Sequence, residues 1–243
     1  MQIKDIILKI EKFAPLELAS DWDNTGWQVK LEIEETNKVL LALSPSPDVV
    51  EQAKNLGCGL IITHHPLFMG KITKLYYEGF KSKTVIEAIR NNIQIYSAHT
   101  NLDKAPGGIN DVLAQMFGMK NVQIVGEFVR TGTVEALPIE DFTLRVKKTL
   151  ACENIKFINN SEVEIVSKVA LCSGAGADLA NSCDADVFIT GDTKYHNALE
   201  ILDKAVIDVG HFESERVILP VLQEILAGVE TIIAKEKDPW TVI

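Results

Sequence analysis

The chain has 243 residues, enough to bury a substantial core as one large domain or two smaller lobes. With 47% hydrophobic and 24% charged residues it reads as an ordinary globular protein. A formal charge of −10, with no stand-out Lys/Arg cluster, argues against direct nucleic-acid binding, which draws on concentrated basic surface.

No apolar run approaches the roughly 20 residues of a membrane-spanning helix, so no membrane association is expected. The first thirteen residues are charged and amphipathic and lack a signal-peptide cleavage pattern. Cys58, Cys152, Cys172 and Cys183 form no CxxC and no regular framework, which suits small apolar residues in a reducing compartment. The expected location is therefore the cytoplasm.

In chain order, Ile3, Ile6, Ile7 and Ile10 recur at helical spacing and predict a helix over Ile3 to Phe13, stopped near Pro15. The loop from Ser20 to Trp27 is rich in Asp, Asn and Trp; its side chains suit local turns and could equally line a pocket. A strand is expected from Val39 to Leu43, then a helix from Pro47 to about Leu56, closed by Gly57. The run Leu60–Thr63 reads as a buried strand that ends abruptly on His64, His65 and Pro66. A helix near Thr84 to Asn91 comes next, then a strand from Ile93 to Ala98 that leads into His99 and Asp103. Gly107 and Gly108 precede a helix from Ile109 to Phe117.

The second half echoes the first. A surface helix is expected over Asp141 to Leu150, and a strand over Lys168 to Leu171. The loop Cys172–Gly176 resembles a phosphate cradle only loosely, lacking the Lys-Ser/Thr of a P-loop, and a tight turn explains it as well. Val187–Thr190 is the counterpart of Leu60–Thr63. Ala205–Gly210 runs into His211 and Glu215 as the earlier strand runs into His99 and Asp103. The apolar stretch from Pro220 to Ile233 exceeds what one helix stripe needs, so it packs in the core or against another copy.

This alternation predicts an α/β fold of two similar lobes with mixed, largely parallel sheets. The lobes are expected over residues 1–123 and 124–243, closely packed, with a metal site between them at strand carboxyl ends, where open sheets bind ligands. Histidine nitrogens and carboxylates in these positions suit Zn, Fe, Mn or Ni. His64 and His65 are adjacent in an extended segment and fit two neighbouring ions better than one. Asp103 is suited to bridge them, and His211 with Glu215 at i, i+4 would share a face if a helix starts at His211. Five such ligands, His64, His65, Asp103, His211 and Glu215, leave positions open, the mark of a reactive site. His99 could ligate, orient a ligand or carry a proton as the catalytic group. His196 is either site-facing or a surface-helix histidine.

These motifs resemble the NIF-three-like family, whose members often carry the name GTP cyclohydrolase 1 type 2 homologue. The likeness rests on Asp21-Trp22-Asp23-Asn24, Ile62 to Leu67, His99 to Asp103, Ile189 to His196 and Gly210 to Glu215, in that order. It implies a dinuclear centre on the same five residues, two intertwined lobes, a toroidal homohexamer, and the short form without a middle insert domain. The function expected is a metal-dependent hydrolase acting on a phosphoester, amide or ring C–N bond of a small molecule. The competing expectation is a non-catalytic metal-handling or interaction scaffold.

Overall fold

The computed structural model describes residues 1–241. Helix α1 (Ile3–Phe13) buries Ile3, Ile6, Ile7 and Ile10 on one face, as its spacing predicts. Each buried isoleucine contributes roughly 2 kcal/mol. Strands β1 (Gly26–Val29) and β2 (Lys38–Ala42) precede α2 (Pro47–Leu56). This helix starts where Ser46 accepts a hydrogen bond from Val49 N, and it ends on Gly57 at φ +72°, a left-handed cap that glycine takes without strain. Strand β3 (Leu60–Thr63) is buried on both faces. Helix α3 (Phe80–Arg90) begins one turn before the sequence expectation. Strand β4 (Gln94–Ser97) and the short α4 (Thr100–Lys104) come next.

Helix α5 (Ile109–Met116) opens a second unit containing β5 (Lys120–Val125), β6 (Val129–Pro138), α6 (Ile139–Leu150), β7 (Lys156–Ile158) and β8 (Ile165–Leu171). It continues through β9 (Val187–Thr190), α7 (Tyr195–Glu200), β10 (Ala205–Asp208) and α8 (His211–Glu215). Its six-stranded sheet runs β5-β6-β8-β9-β10-β7. The pairs among β8, β9 and β10 are parallel and the outer pairs antiparallel, so the sheet is mixed.

The chain then returns through α9 (Ile218–Ile225) to β11 (Glu230–Ile233), which pairs in parallel with β2. The first sheet is thereby completed as β1-β4-β3-β2-β11, with only β1 antiparallel. The apolar stretch from Pro220 to Ile233 thus belongs to a helix and then a strand.

The two sheets share a core plan. In the first, β1 lies antiparallel to β4, and β3 and β2 extend it in parallel. In the second, β7 lies antiparallel to β10, and β9 and β8 extend it in parallel. The chain order is the same, with β1 followed by β2, β3 and β4 and β7 followed by β8, β9 and β10, so the repeat heard in the sequence is a repeat of topology. The segments downstream of the two copies are exchanged. Residues 107–138 join the second sheet, whereas Ile218–Lys237 join the first. The compact units are therefore Met1–Pro106 with Ile218–Lys237, and Gly107–Val217 with Asp238 onward. A sequence division at 123/124 falls inside β5, because a repeat boundary carries no sign of which sheet a strand will pair with. Among the described residues no helix is long and apolar enough to cross a membrane.

Candidate functional site

In the first unit, the ladder between β2 and β3 runs on past the strand. His64 N donates to Ala42 O at 3.2 Å and His65 N to Leu43 O at 2.8 Å, so both histidines are held as strand backbone. The hydroxyls of Thr63 and Ser97 both donate to His65 O, at 2.8 and 3.0 Å. Pro66 then ends the extended run. The His64 ring is buried, with Nδ1 3.0 Å from Ala98 O and Nε2 3.7 Å from Asp103 Oδ1. His65 Nδ1 lies 2.8 Å from Ser44 Oγ.

His99 caps α4, whose single turn carries Asp103; Asp103 N donates to His99 O at 3.1 Å. His99 Nδ1 is 2.8 Å from Asp23 Oδ1. Asp23 also accepts hydrogen bonds from Thr100 N at 3.0 Å and Thr25 Oγ1 at 2.7 Å. Burial of this carboxyl works against its charge, but the hydrogen bonds from His99, Thr100 and Thr25 outweigh it and hold Asp23 far below the usual carboxylate range. The ring centroids of His64 and His65 are 4.8 Å apart, and that of His99 is 5.1 Å from His64. Each of these rings offers a nitrogen within 4.8 Å of the others. Trp22 sets its ring edge-on to His99 at 6.1 Å, so the Asp-Asn-Trp loop does border the cluster.

In the second unit, Gly210 turns the chain at φ +89° and His211 opens α8. The i, i+4 partner Glu215 places Oε2 3.1 Å from His211 Nε2. His211 Nδ1 is 2.8 Å from Asp192 Oδ2. Burial works to lower the imidazolium, yet contact with Glu215 and Asp192 prevails and pushes its pKa up to about 9. Asp208, buried at the end of β10, accepts from Thr193 N at 2.8 Å and Gly210 N at 3.0 Å, tying the Asp192 loop to the His211 turn. A Cβ on Gly191 would fall 2.6 Å from the Gly210 carbonyl carbon, so these two turns need glycine to approach.

The loop Cys172–Gly176 backs this pair. Gly174 N donates to Ser214 Oγ at 2.9 Å, and a Cβ on Gly174 would collide with Glu215 Oε1 and stand 3.3 Å from His211 Nε2. The tight-turn reading of this loop is the one the geometry supports. His196 is exposed on α7, as a surface-helix histidine, with its ring against Tyr195 at 5.5 Å.

The donor chemistry fits divalent ions. His64, His65, His99 and His211 each have Nδ1 against an oxygen partner, an arrangement that typically orients metal-binding imidazoles, and two of the four turn Nε2 toward a carboxylate. Within the first unit the sequence-predicted residues His64, His65, His99 and Asp103 are gathered together, and within the second so are His211 and Glu215. The outer partners Asp23, Ser44 and Asp192 were not foreseen. The aspartates lie in segments that the sequence singles out, but Asp23 pairs with a residue 76 positions away and Asp192 with one 19 away.

The fold and site together define an α/β protein with a repeated core and imidazole–carboxylate sets at its strand ends that could hold a metal ion. The model of the family described as Duf34/NIF3 (NGG1p interacting factor 3) matches residues 1–239, and the chain belongs to that family. A relative from Clostridium perfringens, named GTP cyclohydrolase 1 type 2 homolog, is 34% identical over the full length of both chains. Among solved structures, a Bacillus cereus protein related to NIF3 shares the fold at TM-score 0.94 and 21% identity, covering 100% of this chain and 99% of its own. Reduced HcgD from Methanocaldococcus jannaschii superposes at TM-score 0.86 with 32% identity, over 96% and 97% of the two chains.

Proposed function

We propose that the protein is a metal-dependent hydrolase whose dinuclear centre would be held by His64, His65, Asp103, His211 and Glu215. The observation that supports this reading best is the shared ring orientation. Nδ1 of His64 meets a backbone carbonyl and Nδ1 of His211 a carboxylate, while their Nε2 atoms lie 3.7 and 3.1 Å from the carboxylates of Asp103 and Glu215. Two divalent ions, when bound, supply Lewis acidity and ready deprotonation of water at neutral pH.

The chain's own residues do the rest. Asp103 has two oxygens to share and a charge that offsets cation repulsion. His99, its Nδ1 set on ionised Asp23, is positioned to hold or pass a proton at Nε2. The substrate class is a small phosphoester, amide or cyclic C–N compound. GTP itself is less supported, because a triphosphate calls for clustered cations. Lys71 and Lys74, two of the lysines near the motifs, are exposed.

Elemental analysis of protein purified without chelator and reconstituted should give two ions per chain, and His65→Ala should lower that number to one. A screen of phosphoesters, amides and cyclic C–N substrates with each metal should then reveal turnover that Asp103→Ala abolishes. Two bound ions with no turnover across the screen would turn the reading to a metal-handling scaffold. A single ion, indifferent to His65→Ala, would sink the dinuclear centre.

A further inference from the structure

The turn before β1 inverts the usual order of burial. The Asp23 side chain is fully buried, while Trp22 beside it is 63% exposed. Apolar burial favours the reverse, an indole inside and a carboxylate outside. Local departures of this kind are expected at functional sites. The exposure is not that of a loose loop. Asp23 N donates to Ser20 O at 2.9 Å, closing a β-turn with Trp22 at its third position. Ser20 N donates to Thr100 Oγ1 at 2.9 Å, and the Asp23 carboxylate accepts from Thr100 N at 3.0 Å.

The far side of the loop is clamped as well. Asn24 Nδ2 donates to Phe68 O at 2.7 Å, and Gln28 Oε1 accepts from Leu67 N and Phe68 N at 3.0 and 3.3 Å. Gln28 Nε2 donates to Asn24 O at 2.7 Å. The loop is thus tied both to the helical turn that follows His99 and to the segment that follows His65. The Trp22 and His99 rings cross at 82° with centroids 6.1 Å apart. Whichever ring presents its edge, at least one face of the indole is left open to solvent. A planar ligand ring stacking there would not have to order the protein first, so the contact counts in full.

We propose that Trp22 is the stacking platform for the substrate, and that the substrate carries a planar nitrogen heterocycle rather than being an aliphatic phosphoester or amide. This rests on the hydrolase reading above and narrows its substrate class. A ring seated on Trp22 lies alongside His99, the group positioned to hold or pass a proton.

Stacking tolerates many rings, because every heterocycle has a π face, so simple nucleotides serve as probes. Calorimetry on the full chain reconstituted with zinc compares AMP and CMP with ribose 5-phosphate, which shares the sugar phosphate and lacks the ring. The wild type should bind both nucleotides about tenfold more tightly than ribose 5-phosphate. Trp22→Leu keeps apolar bulk without the aromatic face; it should cancel that preference and leave ribose 5-phosphate binding and zinc content unchanged. Trp22→Phe should retain most of the preference. A wild type indifferent to the ring, or a preference that survives Trp22→Leu, overturns the platform. A loss that falls equally on ribose 5-phosphate overturns it too, since Trp22 would then only shape the site. A ring preference that depends on Trp22, in a protein that shows no turnover of any substrate, overturns the hydrolase reading and leaves the platform standing as a binding site. Turnover confined to aliphatic substrates does the opposite.

Discussion

Gly174 stands so close to Glu215 that a single added methyl would strike the carboxylate oxygen Oε1, and its own backbone sits at φ +60°. The Glu215 carboxylate is thus seated against a glycine that no other residue can replace without strain. Gly174→Ala should lose about 1 kcal/mol from the left-handed conformation alone and displace Glu215. Urea unfolding and metal content read the two effects separately. A variant that keeps full metal content would show that Glu215 is placed by something else.

Asp23 should dominate the acid limb of stability in the metal-free chain. Its folded pKa is depressed, so its contribution is fully present above the unfolded value of about 3.9 and is lost as pH falls through the lower folded value. Asp23→Asn should destabilise by on the order of 2 kcal/mol at pH 7. That difference should shrink steadily below about pH 4. A gap that stays constant between pH 7 and pH 3 would contradict an ionised, hydrogen-bonded Asp23.

Cys152 gives the opposite limb. Burial, with nearby Glu213, pushes its thiol up to about 11. A raised folded pKa means stability present below the unfolded value of about 8.5 and lost as pH climbs toward the folded one. Cys152→Ala should flatten the loss between pH 9 and 11, in part only, because burial also raises Cys58 and Cys183. Slow alkylation of Cys152 at pH 8 is the companion observation; rapid labelling there would count against a buried neutral thiol.

Assembly is the remaining test. The homohexamer implied by the resemblance should scatter light at about six times the chain mass of 26.8 kDa at low micromolar concentration. A mass near that of one chain would refute the ring. Closed assemblies of this kind need self-complementary or cyclic contacts, and small substrates should then react faster than bulky ones.

Much of the site was legible because its signals are local. Leu60–Thr63 is too apolar for anything but a buried strand, and His64, His65 and Pro66 mark its end. His211 and Glu215 needed only one helical turn to meet, and α8 supplies it. Helix α1 arose from four isoleucines at the right spacing. Where the sequence was silent, the deciding contact was distant: Ile232 and Ile233 read only as surplus apolar residues until β2 offered them a parallel partner.

Chemical identity and position along the chain were therefore settled by the sequence alone: which residues carry nitrogen and oxygen donors, and that they lie just past strand ends. Strand periodicity, proline stops and i, i+4 spacing act within a few residues, so they survive without a fold. Tertiary structure alone decided the oxygen behind each ring, Asp23 for His99, Ser44 for His65 and Asp192 for His211. It also decided that Ile218–Lys237 would complete the first sheet rather than the second. Those choices depend on which strands lie side by side, and hydrogen bonding between segments tens of residues apart leaves no periodicity in either one.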